Sequence, residues 1–144
     1  MSRIFVIAMM SLAVLAAETS VKMKDLPAEV QKTVQEQTKG AQIKGISKEV
    51  EKGKTMYEVE TTVNGKSRDL LIDASGGLVS VEEPVPIESI PAPARAALEK
   101  LATGGKIKSV ETVTKGQTVI YEAVIAKGLK KSEVMVAADG SVQK

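Results

Sequence analysis

The sequence predicts an α+β fold of two tandem repeats, each one N-terminal helix packed on a three- to four-stranded antiparallel β-meander. Three observations carry this. First, Asn64-Gly65 separates two alternating runs, Thr55–Val63 and Lys66–Asp73, and Asn-Gly tolerates the two positive φ angles of a type I′ hairpin turn. Second, the hairpin pattern recurs 64 positions later without a gap, with Tyr121-Glu122 replacing Tyr57-Glu58 and Ala138-Asp139-Gly140 replacing Ala74-Ser75-Gly76. Third, each hairpin is preceded by a short amphipathic pattern opened by Pro and closed by Gly, the sequence signature of a helix with defined ends.

The chain opens on a leader, residues 1–17. Arg3 supplies a positive charge, Ile4–Leu15 is almost wholly apolar, and Val14-Leu15-Ala16 offers the small residues a signal peptidase reads. The apolar run is shorter than the roughly 20 residues that a membrane-spanning helix needs. Cleavage after Ala16 or Ala17 is expected, leaving no stable membrane anchor, and the chain has no Cys to carry a lipid. The expected location is periplasmic or secreted.

The first repeat covers 18–81. Leu26-Pro27-Ala28 starts a helix that places Leu26, Val30 and Val34 on one side, and Gly40 is expected to end it as a left-handed cap. Ile43–Val50 is a weaker strand candidate, followed by a turn at Glu51–Lys54. A two-residue loop fixes the register of the central hairpin. Tyr57 then faces Ile72, Val59 faces Leu70, Thr61 faces Arg68 and Val63 faces Lys66, while Glu58 meets Leu71 and Glu60 meets Asp69 on the opposite, solvent-facing side. Ala74–Gly77 forms a turn and Leu78–Val81 a short fourth strand. Residues 82–89 are a Pro-rich linker, because Pro84 and Pro86 lack the N–H a ladder needs.

The second repeat covers 90–144. Ile90-Pro91-Ala92 opens a helix through Ala94, Ala97, Leu98 and Leu101, ending at Gly104-Gly105. Lys106–Thr114 is the counterpart of the weak strand. Thr118–Ala126 and Lys131–Ala137 are the hairpin arms, joined by a turn at Gly128-Leu129 compatible with type II′.

Composition narrows the chemistry. The 144 residues contain no His and no Cys, which excludes His-dependent triads, Cys nucleophiles, Cys/His zinc sites and disulfides. Aromatic residues make up 2% of the chain, so Val, Ile, Leu, Ala and Met must build the core. The net charge of +2 comes from 20 basic and 18 acidic residues spread throughout, without the basic stripe of a nucleic-acid binder. Ser47-Lys48 and Lys66-Ser67 are neighbours on strands and point to opposite faces, so neither makes a Ser-Lys pair.

Leu26-Pro27-Ala28, Ile43-Lys44, Tyr57-Glu58-Val59 and Asp73-Ala74-Ser75-Gly76, with Ile90-Pro91-Ala92, Tyr121-Glu122-Ala123 and Ala138-Asp139-Gly140 in the second copy, resemble the PepSY family and its tandem relatives. Tandem copies are also similar in architecture to the β-lactamase inhibitory protein. The resemblance implies a helix across an antiparallel sheet, an envelope or extracellular location, and a non-catalytic role in inhibiting or regulating a protein partner such as a peptidase. It departs from the family in having no attached peptidase domain.

Individual residues support that reading more than they support catalysis. Tyr57 and Tyr121 read as core residues under the helices. Glu58 and Glu122 read as water-facing strand residues, and Asp73 with Ser75 and Asp139 with Ser141 as turn chemistry. No catalytic, cofactor-binding or metal-binding residue is expected. The candidate interaction patch is the outer face of the second hairpin: Ile120, Glu122, Val124 and Met135, expected to pack between the repeats or to dock another protein. The alternative function is binding of a small ligand or cell-wall component at the junction of the repeats.

Overall fold

The computed structural model describes residues 18–144, so the expected leader lies outside the described residues. The described residues form a mixed α+β fold of two α-helices and ten antiparallel strands. Their contacts gather them into two compact units, one of 18–85 with Glu111–Val119, the other of Pro86–Val110 with Ile120–Lys144.

In the first unit, a 3-10 turn at Met23–Asp25 leads into α1, Ala28–Gln37. Pro27 stands at the N-cap, where its missing N–H costs no helical bond, and the Gln31 side-chain amide donates to the Leu26 carbonyl at 2.8 Å. The C-cap is Thr38, whose N–H bonds the Val34 carbonyl; Gly40, at φ +75°, belongs to the turn that follows rather than to the cap predicted for it. Leu26, Val30 and Val34 are buried against Ile46, Tyr57, Val59, Leu70 and Ile72 of the sheet. Inward positions spaced by four on the helix and by two on the strands therefore meet in one core.

The strands of this unit are β1 (Thr19–Ser20), β2 (Gln42–Glu51), β3 (Lys54–Val63), β4 (Lys66–Ser67), β5 (Asp69–Asp73) and β6 (Leu78–Pro84). Asn64 and Gly65 both have positive φ, and the predicted register holds: Val63 pairs with Lys66, Val59 with Leu70, Glu58 with Leu71 and Tyr57 with Ile72. The predicted Thr61–Arg68 and Glu60–Asp69 pairings are absent from the ladder, and Arg68 lies between β4 and β5. The Thr61 N–H turns to Asp69 Oδ1 at 3.2 Å and the Thr61 hydroxyl donates to the Arg68 carbonyl, so the ladder breaks between β4 and β5. The freed Arg68 guanidinium donates to the Gln37 carbonyl at 3.0 Å, a cation against the negative end of α1, and lies 3.8 Å from Glu83.

The linker prediction is corrected at its start. β6 continues through Pro84, pairing Glu82 with Val113, Glu83 with Thr112 and Pro84 with Glu111 of β7, Lys106–Lys115. Pro84 is tolerated because it ends the strand, beyond the Asp69–Glu82 pair that closes the β5 side. A 3-10 turn, Ile87–Ser89, follows.

In the second unit, α2 spans Ala92–Leu101 with Pro91 at its N-cap and Ala94 and Leu98 buried. The hairpin joins β8, Thr118–Lys127, to β9, Lys130–Ala137, and β10, Val142–Gln143, pairs with β9. Gly128 has φ +59° and Leu129 does not have positive φ, as a type II′ turn requires. Ile90, Ala102, Val110, Ala123, Ile125 and Val136 are the further buried apolar residues of this unit. Tyr121 shares the face of Ala123 and Ile125 but is half-buried, whereas Tyr57 is 6% exposed.

Candidate functional site

The strongest concentration of chemistry lies on the face of the first sheet opposite α1. Strand alternation puts Ser47, Glu49, Glu58, Glu60 and Leu71 on that face, and the short strand β1 adds Ser20, which pairs with Ser47. Glu18 precedes β1, and the Thr19–Lys48 pairing sets it beside Glu49. One carboxylate oxygen from each of Glu18, Glu49 and Glu58 lies within 4.8 Å of the others.

Glu58 is the unusual member. It is 9% exposed, which corrects its predicted place in solvent. Alternation assigned it the right face, but the chain covers that face. Burial is the main reason its carboxyl is pushed up from 4.5 to about 8, and Glu49, Glu18, Glu82 and Asp69 add like-charge repulsion in that order. Sequence reasoning missed the cluster because its third member, Glu18, stands just before a two-residue strand that is too short to show a periodic pattern. Glu122 is corrected in the same way, being 8% exposed.

The predicted patch is assembled in register. Glu122 faces Met135, Val124 faces Glu133 and Ile120 faces Ala137, so Ile120, Glu122, Val124 and Met135 share one face of the hairpin. Its three apolar members are half-buried and Glu122 is buried. The fully exposed apolar side chain of this hairpin is instead Leu129, at the turn.

The Asp-Ser turns are structural, as expected. Asp73 Oδ1 accepts the Ser75 hydroxyl at 2.6 Å, the Ser75 N–H at 2.8 Å and the Gly77 N–H at 2.9 Å. These bonds, the hydroxyl first, hold its carboxyl below the usual range. Asp139 accepts the hydroxyl and N–H of Ser141 and is lowered likewise. An open cavity of about 480 Å³ in the second unit is lined by Gly104, Gly105, Lys106, Lys108, Ala126 and Gly128, a cationic and largely backbone surface.

Residues 27–79 match the PepSY family, described as "Peptidase propeptide and YPEB domain". No curated protein matches the chain. Among solved structures, the chain is similar to a proposed periplasmic protein of Bacteroides eggerthii, with 17% identity, a TM-score of 0.66 and coverage of 83% of this chain and 86% of that one. A DUF2874 family protein of Bacteroides uniformis aligns with 16% identity and TM-score 0.65, covering 82% and 86% of the two chains. A BLIP-like protein of Bacteroides fragilis aligns with 15% identity and TM-score 0.60, covering 83% and 84%. At these identities the likeness is one of fold.

Proposed function

We propose that this chain is a non-catalytic PepSY-like protein of the cell envelope, periplasmic or secreted, that binds and modulates a protein partner, a peptidase or another envelope enzyme. The observation that carries this is the PepSY match over 27–79 on a fold shared with a BLIP-like protein. The absence of His and Cys from the whole sequence removes the commonest nucleophile and base combinations.

The proposal includes two PepSY-like repeats, 18–81 and 90–144, joined by 82–89. In support, α1 at Ala28–Gln37 and α2 at Ala92–Leu101, β2 at Gln42–Glu51 and β7 at Lys106–Lys115, and β3 at Lys54–Val63 and β8 at Thr118–Lys127 stand at one constant offset. Residues 82–84 serve both as connection and as the end of β6.

The partner-binding patch is Ile120, Glu122, Val124 and Met135. The test is capture from envelope extract by the purified protein and by Val124→Glu, with melting curves of both and an activity assay of any captured enzyme. The expected result is saturable capture that changes the enzyme's turnover and is lost in Val124→Glu at an unchanged melting temperature. A folded parent protein that alters no enzyme it captures overturns the modulatory role. A Val124→Glu protein that melts early shows that the position supports the fold instead.

A further inference from the structure

We propose that the end of the second unit built by the start of β7 and the β8–β9 turn docks on an anionic lipid membrane, with Leu129 inserted among the lipids and the surrounding lysines on their phosphate headgroups. The two segments that form it, residues 104–108 and 126–132, contain five Lys and no Asp or Glu. Lys106 and Lys108 come from β7, Lys127 from the last position of β8, and Lys130 and Lys131 from the first two of β9. The fold brings these segments together, since a Cβ on Gly105 would stand 2.6 Å from Cγ of Lys127. All five lysines belong to one unit.

Two features separate this end from an ordinary solvated surface. The first is electrostatic. Lys127 and Lys130 are direct cross-strand partners, and like charges in that relation destabilise a hairpin unless something negative lies against them. Among the described residues, none of the five ammonium groups pairs with a carboxylate. The hairpin architecture does not itself demand these charges, because the positions 64 earlier hold Gln42 for Lys106 and Val63 for Lys127, and Val63 is the partner of Lys66 in the first hairpin.

The second feature is Leu129, which stands in the turn between Lys127 and Lys130. It is fully exposed, whereas no other large apolar side chain among the described residues exceeds 56%. An apolar side chain projecting between lysines suits the boundary of a bilayer. The leucine leaves water for acyl chains, the Lys stems lie along apolar surface, and their ammonium groups stay at headgroup level, where anionic lipids attract them. Beside the turn, the open cavity of about 480 Å³ lined by Lys106, Lys108, Gly104, Gly105 and Gly128 gives a headgroup phosphate a seat. A soluble phosphate compound would use the cavity and the lysines but gain nothing from Leu129, so the exposed leucine selects the membrane. With a single inserted side chain the attachment is peripheral and reversible.

The test is flotation of the processed protein with vesicles of phosphatidylcholine alone and of phosphatidylcholine and phosphatidylglycerol in equal parts, at low and at high ionic strength. The expected result is coflotation with the anionic vesicles only, lost at high salt. It is reduced by roughly tenfold or more in the double variants Lys127→Gln with Lys130→Gln and Lys106→Gln with Lys108→Gln, and reduced also in Leu129→Ser. Lys32→Gln with Lys39→Gln removes the same charge from the exposed surface of the first unit and floats as the parent does. Melting curves confirm that the variants are folded, and the two lysine pairs at this end give independent readings. No coflotation with anionic vesicles, or losses no greater than that of the Lys32, Lys39 variant, overturns the surface. Flotation of Leu129→Ser equal to that of the parent overturns the insertion. Release of the parent by glycerol phosphate at matched ionic strength shows that a soluble phosphate compound is the ligand and overturns the membrane.

Discussion

Two acidic residues of the first unit show how environment sets the behaviour of one functional group. Asp73 is half-buried and receives three hydrogen bonds, so its charged form is favoured. Glu58 is buried among other acids, so its neutral form is favoured and its carboxyl titrates near 8 rather than 4.5. Between those two values the folded chain holds a proton that the unfolded chain has released, so stability falls as pH rises through that window and levels off above it. Glu58→Gln removes the titrating group. Its stability profile is expected to be flatter over this window, with a melting temperature above that of the parent on the alkaline side; parallel profiles would contradict the assignment. Sequence reading assigned the face of Glu58 correctly and its exposure wrongly. Alternation along one strand reports which side a residue takes, whereas cover from β1 and from distant acids is a property of the assembled sheet.

At the scale of elements, turn chemistry was the most legible part of the sequence. Asn64-Gly65 fixed a register confirmed at Tyr57–Ile72, Glu58–Leu71 and Val59–Leu70, because two positive φ angles leave few alternatives. The elements that were not legible depend on tertiary partners. β1 exists only through its pairing with Lys48 and Ser47, and Pro84 joins a strand because β7 offers it a terminal place. Glycines show the same division. Gly40, at φ +75°, has open space where a Cβ would stand, so Gly40→Ala is expected to cost only the left-handed penalty of about 1–2 kcal/mol. Gly76 has φ +88°, and a Cβ there would lie 2.7 Å from the Glu29 carbonyl oxygen of α1, while the Thr33 hydroxyl bonds the Gly76 carbonyl at 2.5 Å. Gly76→Ala must therefore also push the turn off the helix. Its melting temperature is expected to fall clearly further than that of Gly40→Ala, and equal losses would show that the turn yields without disturbing α1.

At the scale of the whole molecule, PepSY matching stops at residue 79, while the solved folds extend over 83% of the chain. Sequence similarity fades where the core needs only apolar residues of suitable size, whereas the order of helix and strands is kept by topology. The leader adds a consequence that meets the acidic cluster. Cleavage after Ala16 or Ala17 would create an ammonium group on the residue before Glu18 or on Glu18 itself, and an α-amino group stays largely protonated up to a pH of about 8. A positive charge beside Glu18 and Glu49 favours the charged form of Glu58 and so opposes the rise in its titration point. When the chain is produced with its leader in a Gram-negative host, N-terminal sequencing of the soluble envelope fraction is expected to begin at Ala17 or Glu18. An uncleaved chain held in the membrane fraction would overturn the leader. The processed protein is further expected to lose less stability between pH 4.5 and 8, the window set by Glu58, than the same chain acetylated at its amino terminus. Coincident profiles would show that the new amino group stands too far from the carboxylates to act on them.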